Sequence, residues 1–262
     1  MPQTIVQAHA HARIALAEVD STNAEALRRL NSGETPPFWL TADRQIAGRG
    51  RRGRGWTSEP GNLYSSLVLL DPAPPAHVGE LPLVIGLAAH RAVSRVAGLP
   101  ADALTVKWPN DLLLGGSKIA GILIEAVPFA GRRAVVIGIG INVGHHPAGT
   151  EWPATDLATA GAAIDTEAMF GLLAGAIGET LAKWNEGAGF AAIRRAWLDA
   201  AFGVGEPIVV RLPQTTVSGH FSTIDRDGRL VLRHADGAEE RISAGDVFLL
   251  GADAPASGEG AA

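Results

Sequence analysis

The pattern of hydrophobic and polar positions divides the chain into two regions. Before residue 203, apolar runs of strand character are mixed with segments of helical character, which predicts a mixed α/β fold. After residue 203, short alternating runs are separated by turns such as Asp227-Gly228 and Asp236-Gly237, which predicts a small β-barrel. The predicted division is a flexible tail at residues 1–12, a large domain at 13–203, the barrel at 204–250 and a disordered tail at 251–262.

The first region contains a predicted sheet and the helices that cover it. Its strands are predicted at residues 14–19, 38–42, 62–70, 117–125 and 133–143. Its helices are predicted to begin near Thr22 and to cover residues 81–96, 166–184 and 190–202, the first of these three as an amphipathic helix packed on the sheet. Thr22 and Glu25 have the spacing of a capping box. The polar run Ser21-Thr22-Asn23 is therefore interpreted first as a helix cap and second as a site for a polar ligand group.

Lys118 stands at the start of a run that is apolar on both faces, which is typical of a central, buried strand. It follows Gly115-Gly116, a strong hairpin signal, and shares its parity with Ala120 and Ile122. A lysine that enters a buried sheet needs an anionic partner. The alternative is a lysine that snorkels to solvent beside the turn. Asp111 precedes the hairpin, and it is expected to lie near Lys118, at the same opening of the sheet.

Residues 48–56, with the sequence GRGRRGRGW, form the most distinctive stretch of the chain. Glycines allow the backbone to come close to a ligand, and guanidinium groups add planar, paired donors. Backbone N–H groups of such a loop can converge on phosphate or carboxylate oxygens. The sequence therefore predicts an anion-binding loop between two strands.

Two other interpretations of this loop are weaker. Gly48, Gly50 and Gly53 match the spacing of a dinucleotide-binding fingerprint, but that motif requires a helix to open at its third glycine. The residues that follow, 57–61, cannot begin a helix cleanly. A disordered arginine-glycine segment that binds nucleic acid would lie in low-complexity surroundings, whereas strand-like runs flank this loop on both sides.

The composition indicates a globular protein with a small anionic ligand. The chain has 262 residues, 47% of them hydrophobic, and carries 22 basic against 27 acidic residues. The positive charge of the loop is therefore local, whereas a nucleic-acid binder is basic over a whole face. The chain has no cysteine, which excludes disulfides and fits a reducing cytoplasm, and it shows no signal peptide or membrane-spanning run.

Taken in order, the motifs resemble those of biotin protein ligases. They are Asp20-Ser21-Thr22-Asn23, the loop 48–56, Lys107-Trp108-Pro109-Asn110-Asp111, and residues 117–125 and 138–143. The resemblance covers nearly the whole chain. It implies a catalytic domain like that of class II aminoacyl-tRNA synthetases, followed by an SH3-like barrel. Many relatives carry an N-terminal DNA-binding domain, but this chain reaches Ser21 too early to hold one, so no DNA binding is expected.

The activity implied by the resemblance is ATP-dependent attachment of biotin to a protein. Biotin would be activated as biotinyl-5′-AMP, with Mg²⁺ accompanying ATP. It would then be transferred to a lysine of the biotin carboxyl carrier protein of acetyl-CoA carboxylase. The enzyme would work in the cytoplasm as a monomer or weak homodimer, without DNA or membrane partners.

The same resemblance assigns roles to individual positions. Biotin, with its carboxylate, would contact Ser21, Thr22, Asn23, Gln45, Arg49, Gly50, Arg51 and Lys118. ATP or the adenylate would contact Gly48, Arg51, Arg52, Trp56, Lys107, Asn110 and Asn142. Arg51 and Lys118 would neutralise the reacting anions, and Asp111 would be the base of the transfer step. No metal ligand is assigned. Gly55 before Trp56 departs from the familiar pattern and could loosen the hold on the tryptophan.

Two alternatives remain at this point. The acid could be lipoate or octanoate, because that ligase family shares the architecture. The loop could instead bind RNA or DNA, with the rest of the chain as a scaffold.

Overall fold

A seven-stranded mixed sheet forms the centre of the first region. The structure is a computed structural model in which residues 11–100 and 102–250 are described. The strands are β1 (Ala12–Val19), β2 (Phe38–Gln45), β3 (Leu63–Leu70), β4 (Leu104–Lys107), β5 (Asp111–Leu114), β6 (Ser117–Phe129) and β7 (Arg132–Ile141). Their order across the sheet is β1-β2-β3-β7-β6-β5-β4, and only β1 and β2 pair in parallel. The predicted strands are confirmed. Apart from His11 and Ala12, the predicted tails lie outside the described residues.

Helices cover the two faces of this sheet unequally. They are α1 (Thr22–Asn31), α2 (Leu81–Val93), α3 (Thr166–Trp184) and α4 (Phe190–Asp199). Ala26 and Leu30 of α1 belong to a small apolar cluster with Phe38 and Val68. The main core lies on the opposite face, where α2 packs with α3 and α4. The first face is therefore left partly uncovered beyond α1, and this is where a ligand can reach the sheet.

Helix α2 differs from its predicted amphipathic character. Ten of its thirteen residues are buried, because α3 and α4 cover the side that would otherwise face solvent. Its polar positions His90 and Arg91, which are half-buried, lie in the last turn. The helix is therefore a middle layer of the domain rather than a surface helix.

The second region forms a five-stranded antiparallel sheet. Its strands are β8 (Pro207–Arg211), β9 (Thr216–Ile224), β10 (Leu230–Arg233), β11 (Glu239–Ile242) and β12 (Asp246–Leu249), in the order β11-β10-β9-β8-β12. This sheet occupies the position of the predicted barrel. It packs onto the first region, where the buried Trp108 donates through Nε1 to the carbonyl of Gly228 at 3.4 Å. Throughout the described part of the chain, no helix combines the length and apolarity needed to cross a bilayer.

Candidate active site

A cleft of about 280 Å³ opens on the face of the seven-stranded sheet that carries α1. It brings together residues from the first turn of α1, the arginine-glycine loop, the hairpin of β5 and β6, and the second sheet. Thirteen of the residues singled out in the sequence line it: Ser21, Thr22, Asn23, Gln45, Arg49, Gly50, Arg51, Trp56, Lys107, Asn110, Asp111, Lys118 and Asn142. One cleft therefore contains nearly all of the predicted site.

One end of the cleft is polar, and the predicted helix cap is part of it. The capping-box prediction is wrong: Ser21, not Thr22, is the N-cap, and it makes no side-chain capping bond. The backbone N–H and the hydroxyl of Thr22 instead donate to Oε1 of Gln45, at 2.7 and 3.1 Å. Nε2 of Gln45 donates to the hydroxyl of Ser58 at 2.8 Å, which fixes the orientation of the amide. The first turn of α1 therefore supplies a rigid polar wall.

Asn23 is held against the sheet by hydrogen bonds, one of which its Nδ2 donates to the carbonyl of Leu123 at 3.3 Å. Its Oδ1 accepts from the hydroxyl of Ser66 at 2.6 Å, and its Nδ2 donates to Oε2 of Glu125 at 2.8 Å. A Cβ at Gly138 would lie 2.3 Å from Oδ1 of Asn23, so only glycine leaves room for this side chain. Gly138 of β7 is thus required by the close approach of Asn23.

A β-bulge decides where Lys118 points. In the pairing of β5 with β6, Leu112 is opposite Ala120 but Leu113 is opposite Lys118, so the register shifts by one residue. The extra residue reverses the alternation of side chains. Lys118 therefore lies on the cleft face, where a Cβ at Gly121 would be 3.4 Å from its Cε. Its predicted grouping with Ala120 and Ile122, based on parity, is wrong.

Lys118 has the anionic partner that its position requires. Its Nζ lies 2.7 Å from Oδ1 of Asp111, the first residue of β5. Both side chains are partly shielded from solvent, with 27% and 17% of their surface exposed. The pair is therefore accessible to a ligand from the cleft, and a ligand anion can compete with Asp111 for the ammonium.

Trp56 lies against the floor of the cleft, which consists of two paired glycines. Gly121 of β6 is opposite Gly140 of β7. A Cβ at Gly121 would lie 2.9 Å from the indole, and a Cβ at Gly140 would lie 2.7 Å from it. Nε1 of Trp56 is buried and has no hydrogen-bond partner among the described residues. Buried donors are nearly always paired, so this N–H is a candidate contact for a ligand acceptor.

The arginines of the loop point to different partners. Arg51 donates to Oδ1 of Asn110 at 2.9 Å and to the carbonyl of Gly245 at 3.3 Å. Burial lowers the pKa of Arg51 from its ordinary value, but the ordinary value is so high that the group stays charged. Arg49 lies 3.3 Å from Glu125. These acceptors reduce the repulsion among the four arginines and hold the loop beside the cleft.

Two predicted residues do not line the cleft. Gly48 packs against the backbone of the same loop. A Cβ there would be 2.4 Å from the carbonyl oxygen of Trp56, so its role is close packing. Arg52 adopts a left-handed backbone conformation with φ of 56° and directs Nη1 to Asp246, at 3.2 Å. Their predicted contacts with the nucleotide are not supported by this geometry.

The described chain matches known families over both regions. Residues 16–142 match the biotin/lipoate A/B protein ligase family, and residues 203–250 match the biotin protein ligase C terminal domain. A biotin–[acetyl-CoA-carboxylase] ligase of Paracoccus denitrificans is 41% identical over 246 residues, covering 90% of this chain and 100% of the relative. The chain belongs to the biotin protein ligase family. A ligase of the same description from Mycobacterium tuberculosis is 37% identical, over 90% of this chain and 88% of its own.

Solved structures agree with this assignment. The biotin protein ligase of Aquifex aeolicus, in a complex with biotin and ATP, has a TM-score of 0.77 and 28% identity, covering 91% of this chain and 98% of its own. The mixed α/β domain followed by an antiparallel sheet is therefore the fold of a biotin protein ligase, and the protein is a ligase enzyme.

The ligase cleft also contains residues that the sequence did not single out. Asp246 of β12 lies 2.9 Å from Nη2 of Arg54 and 3.2 Å from Nη1 of Arg52. Trp152 and Phe248 line the cleft near Lys107. Glu125 also received no predicted role; it does not line the cleft, but it accepts hydrogen bonds from Asn23 at 2.8 Å and from Arg49 at 3.3 Å. Asp246 and Phe248 are about 190 residues from the loop in sequence, so only the packing of the two sheets brings them to the site.

Proposed function

We propose that this ligase activates biotin as biotinyl-5′-AMP and transfers it to a lysine of a biotin carboxyl carrier protein. The observation that carries the proposal is the arrangement of one cleft, in which a polar pocket adjoins two cationic groups. Thr22 and Gln45 form the polar end, and Lys118 and Arg51 line the same cleft. The Paracoccus and Mycobacterium relatives are named for this reaction on acetyl-CoA carboxylase.

The polar end fits the ureido ring of biotin, with Ser21, Thr22, Asn23 and Gln45 as its contacts. A ureido group has one acceptor and two donors, and therefore needs a wall that offers both kinds of partner. The hydroxyl of Ser21 is not used as a cap, and Nδ2 of Asn23 and Oε1 of Gln45 already have fixed orientations. A plain aliphatic tail would remove this polar wall from water without offering it any further hydrogen bond, which disfavours octanoate.

In the first step, the carboxylate of biotin attacks the α-phosphorus of ATP and pyrophosphate leaves. The carboxylate is already ionised at neutral pH, so the step needs no base. Its difficulty is repulsion between two anions, and the proposed role of Lys118 and Arg51 is to neutralise both while holding them in line. Arg49 and Gly50 would assist at the carboxylate. Trp56, Asn110 and Asn142 would contact the nucleotide. The charged form of Lys107 would attract its phosphates from beneath the two rings that cover the amine.

Mg²⁺ would accompany the triphosphate and neutralise its charge. In residues 11–100 and 102–250, no group of three or more His, Cys, Asp or Glu side chains could hold a metal by itself. This donor set fits Mg²⁺ that is bound mainly by phosphates, with at most one or two carboxylates such as Asp111.

In the second step, the lysine amine of the carrier attacks the acyl carbon and AMP leaves. The amine must be neutral, so a nearby carboxylate is useful as a proton acceptor. Asp111 is paired with Lys118 at 2.7 Å before any ligand is present. When the acyl phosphate takes Lys118 as its partner, Asp111 becomes available for the amine. The same ion pair thus connects the two half-reactions.

The proposal extends to the organisation of the protein. Residues 13–203 would form the catalytic domain and residues 204–250 a C-terminal domain that closes the cleft, through Asp246 and Phe248. Use of ATP and the lack of cysteine favour the cytoplasm as its location. A protein acceptor with a lysine is the only macromolecular partner that the chemistry requires.

The test is a reconstitution with ATP, Mg²⁺, biotin and an apo carrier domain. We expect the carrier to gain the mass of one biotinyl group at one lysine, and biotinyl-5′-AMP to accumulate when the carrier is omitted. A carrier that gains no mass would contradict the transfer, and an absence of adenylate would contradict the activation. Parallel reactions with lipoate or octanoate in place of biotin show which acid the enzyme uses as its substrate.

Thr22→Val should weaken biotin binding selectively. The change keeps the shape but removes a hydroxyl that donates to Gln45 at 3.1 Å, so Oε1 of Gln45 keeps only the backbone N–H of Thr22 as a donor from α1. We expect KM for biotin to rise about 5- to 10-fold, corresponding to roughly 1 kcal/mol for a neutral hydrogen bond, with kcat nearly unchanged. Thr180→Val is the control, because Thr180 is buried but does not line the cleft. An equal rise in KM in both variants would argue against a specific role.

Gly140→Ala should displace Trp56 and weaken nucleotide binding. The added methyl group would lie 2.7 Å from the indole, closer than packed atoms allow. We expect about a tenfold rise in KM for ATP and a loss of about 1–3 kcal/mol in the free energy of unfolding. Gly171→Ala in α3, where the new Cβ meets nothing within 4 Å, should leave KM unchanged and stabilise the fold slightly. Normal ATP kinetics in Gly140→Ala would remove Trp56 from the nucleotide site.

A further inference from the structure

Lys107, the last residue of β4, is a second amine in the cleft besides Lys118. Only 7% of its surface is exposed. This burial lowers the pKa of Lys107 to about 8, although the nearby Asp111 acts in the opposite direction. At pH 7 about one molecule in ten therefore carries the neutral, nucleophilic amine. Lys118 differs in its surroundings, because its Nζ lies 2.7 Å from Oδ1 of Asp111.

A neutral amine beside biotinyl-5′-AMP, which is a mixed anhydride, could react with it. Its Nζ could attack the acyl carbon of the adenylate, the bond to the phosphate oxygen would break, and AMP would leave with the electron pair. The proton lost from nitrogen would pass to Asp111. The product would be a stable amide on the enzyme itself, and the charge of Lys107 would be lost.

Two aromatic rings cover this amine. The ring centroid of Trp152 is 4.0 Å from Nζ of Lys107, and that of Phe248 is 5.4 Å away. A cation over an aromatic face is attracted to it, so the rings also favour the charged form of the amine. The amine is thus covered by two elements distant in sequence, the loop after β7 and strand β12.

The ring of Trp152 is fixed rather than loosely placed. Its Nε1 donates to the carbonyl of Gly116 at 2.9 Å, and its edge packs on Phe202 with centroids 5.9 Å apart. The loop that carries it is anchored beyond Trp152, where Nδ2 of Asn142 donates to the carbonyl of Thr155 at 2.9 Å. These contacts hold the indole over Lys107.

We propose that Trp152 and Phe248 shield the amine of Lys107 from the activated acyl group, and so prevent the ligase from acylating itself. Trp152 is a positioning residue in this proposal: it takes no part in the reaction and acts only on Lys107. The proposal rests on the function proposed above, because it requires an acyl adenylate in the cleft.

The sequence makes the test unusually direct, since only three of the 22 basic residues are lysines: Lys107, Lys118 and Lys183. Wild type, Trp152→Ala, Trp152→Phe and the double variant Trp152→Ala with Lys107→Arg are incubated with biotin and MgATP without an acceptor. Intact mass and peptide mapping then measure biotinylation at each lysine. We expect acylation of Lys107 to be about tenfold faster in Trp152→Ala than in wild type. Trp152→Phe should resemble wild type, and the double variant should gain nothing at position 107.

The proposal is overturned if wild type and Trp152→Ala both form biotinyl-5′-AMP but label Lys107 equally. A wild type that forms no adenylate would instead contradict the proposed function.

A second experiment separates these outcomes because it needs no catalysis. The ligand-free proteins are treated with the N-hydroxysuccinimide ester of biotin, which acylates accessible amines directly. Lys183, exposed at the end of α3, serves as the internal reference. The ratio of labelling at Lys107 to that at Lys183 should rise about tenfold in Trp152→Ala. Trp152→Leu is run alongside with thermal melts, and an unchanged ratio in either folded variant overturns the shielding.

Discussion

Lys118→Ala should lower the rate of biotinyl-adenylate formation by about 100- to 1000-fold, the effect of removing one preorganised group that stabilises transition-state charge. The ammonium is placed on the cleft face by the bulge in β6 and is 2.7 Å from Asp111. Without it, the carboxylate of biotin and the α-phosphate meet with one cation fewer, and Asp111 adds a further uncompensated negative charge. The rate is measured as biotin-dependent exchange of pyrophosphate into ATP.

The control for this prediction is Lys183→Ala, which removes the same side chain from an exposed position at the end of α3. It should exchange pyrophosphate at the wild-type rate. Thermal melting of Lys118→Ala shows whether the unpaired Asp111 weakens the fold. Near wild-type exchange in a folded Lys118→Ala protein would make the lysine a structural partner of Asp111 and nothing more.

The bulge in β6 shows why Lys118 could be found from sequence while its orientation could not. The apolar run and the Gly-Gly turn predict the hairpin, because these are local signals. Strict alternation then assigns Lys118 to the side of Ala120. A register shift of one residue reverses that assignment, and the shift arises from pairing with β5 rather than from any residue type in β6.

The first turn of α1 illustrates a different limit. Thr22 and Glu25 have the spacing of a capping box, but Thr22 is already inside the helix and its hydroxyl donates to Gln45. Glu25 pairs with Arg28 and Arg29 instead. The polar residues were recognisable as a group, yet a side chain that has a tertiary partner 23 positions away does not need the local bond that spacing suggests.

The second sheet contributes what no local pattern could predict. Its strands were recognisable from alternation and turn residues, but Asp246 meets Arg52 and Arg54 only because β12 packs against the loop. The same holds for Phe248 over Lys107. These contacts join elements that are far apart in the sequence. Composition and periodicity describe local patterns, so they contain no signal for such contacts.

Arg51→Gly should let the adenylate escape from the ligase and label lysines on bystander proteins. Arg51 connects the loop to Asn110, a proposed nucleotide contact, and to the second sheet through the carbonyl of Gly245. It also has the least exposed side chain of the four arginines in the loop, so its loss removes the proposed phosphate contact and the bonds that hold the loop to the second sheet. A charge-assisted hydrogen bond contributes about 1.5–3 kcal/mol, which corresponds to roughly 10- to 100-fold faster release. The measurement is the dissociation rate of biotinyl-5′-AMP, together with biotinylation of an added lysine-rich protein.

Arg52→Gly is the matched control for Arg51→Gly, since it removes the same charge from the same loop. Arg52 does not line the cleft, and glycine suits its φ of 56° without strain. Its loss breaks only one contact with Asp246, which Arg54 also contacts. We therefore expect less than about a threefold change in release for Arg52→Gly, in line with the small contribution of exposed ion pairs. If both variants release the adenylate equally fast, retention depends on the total charge of the loop rather than on the placement of Arg51.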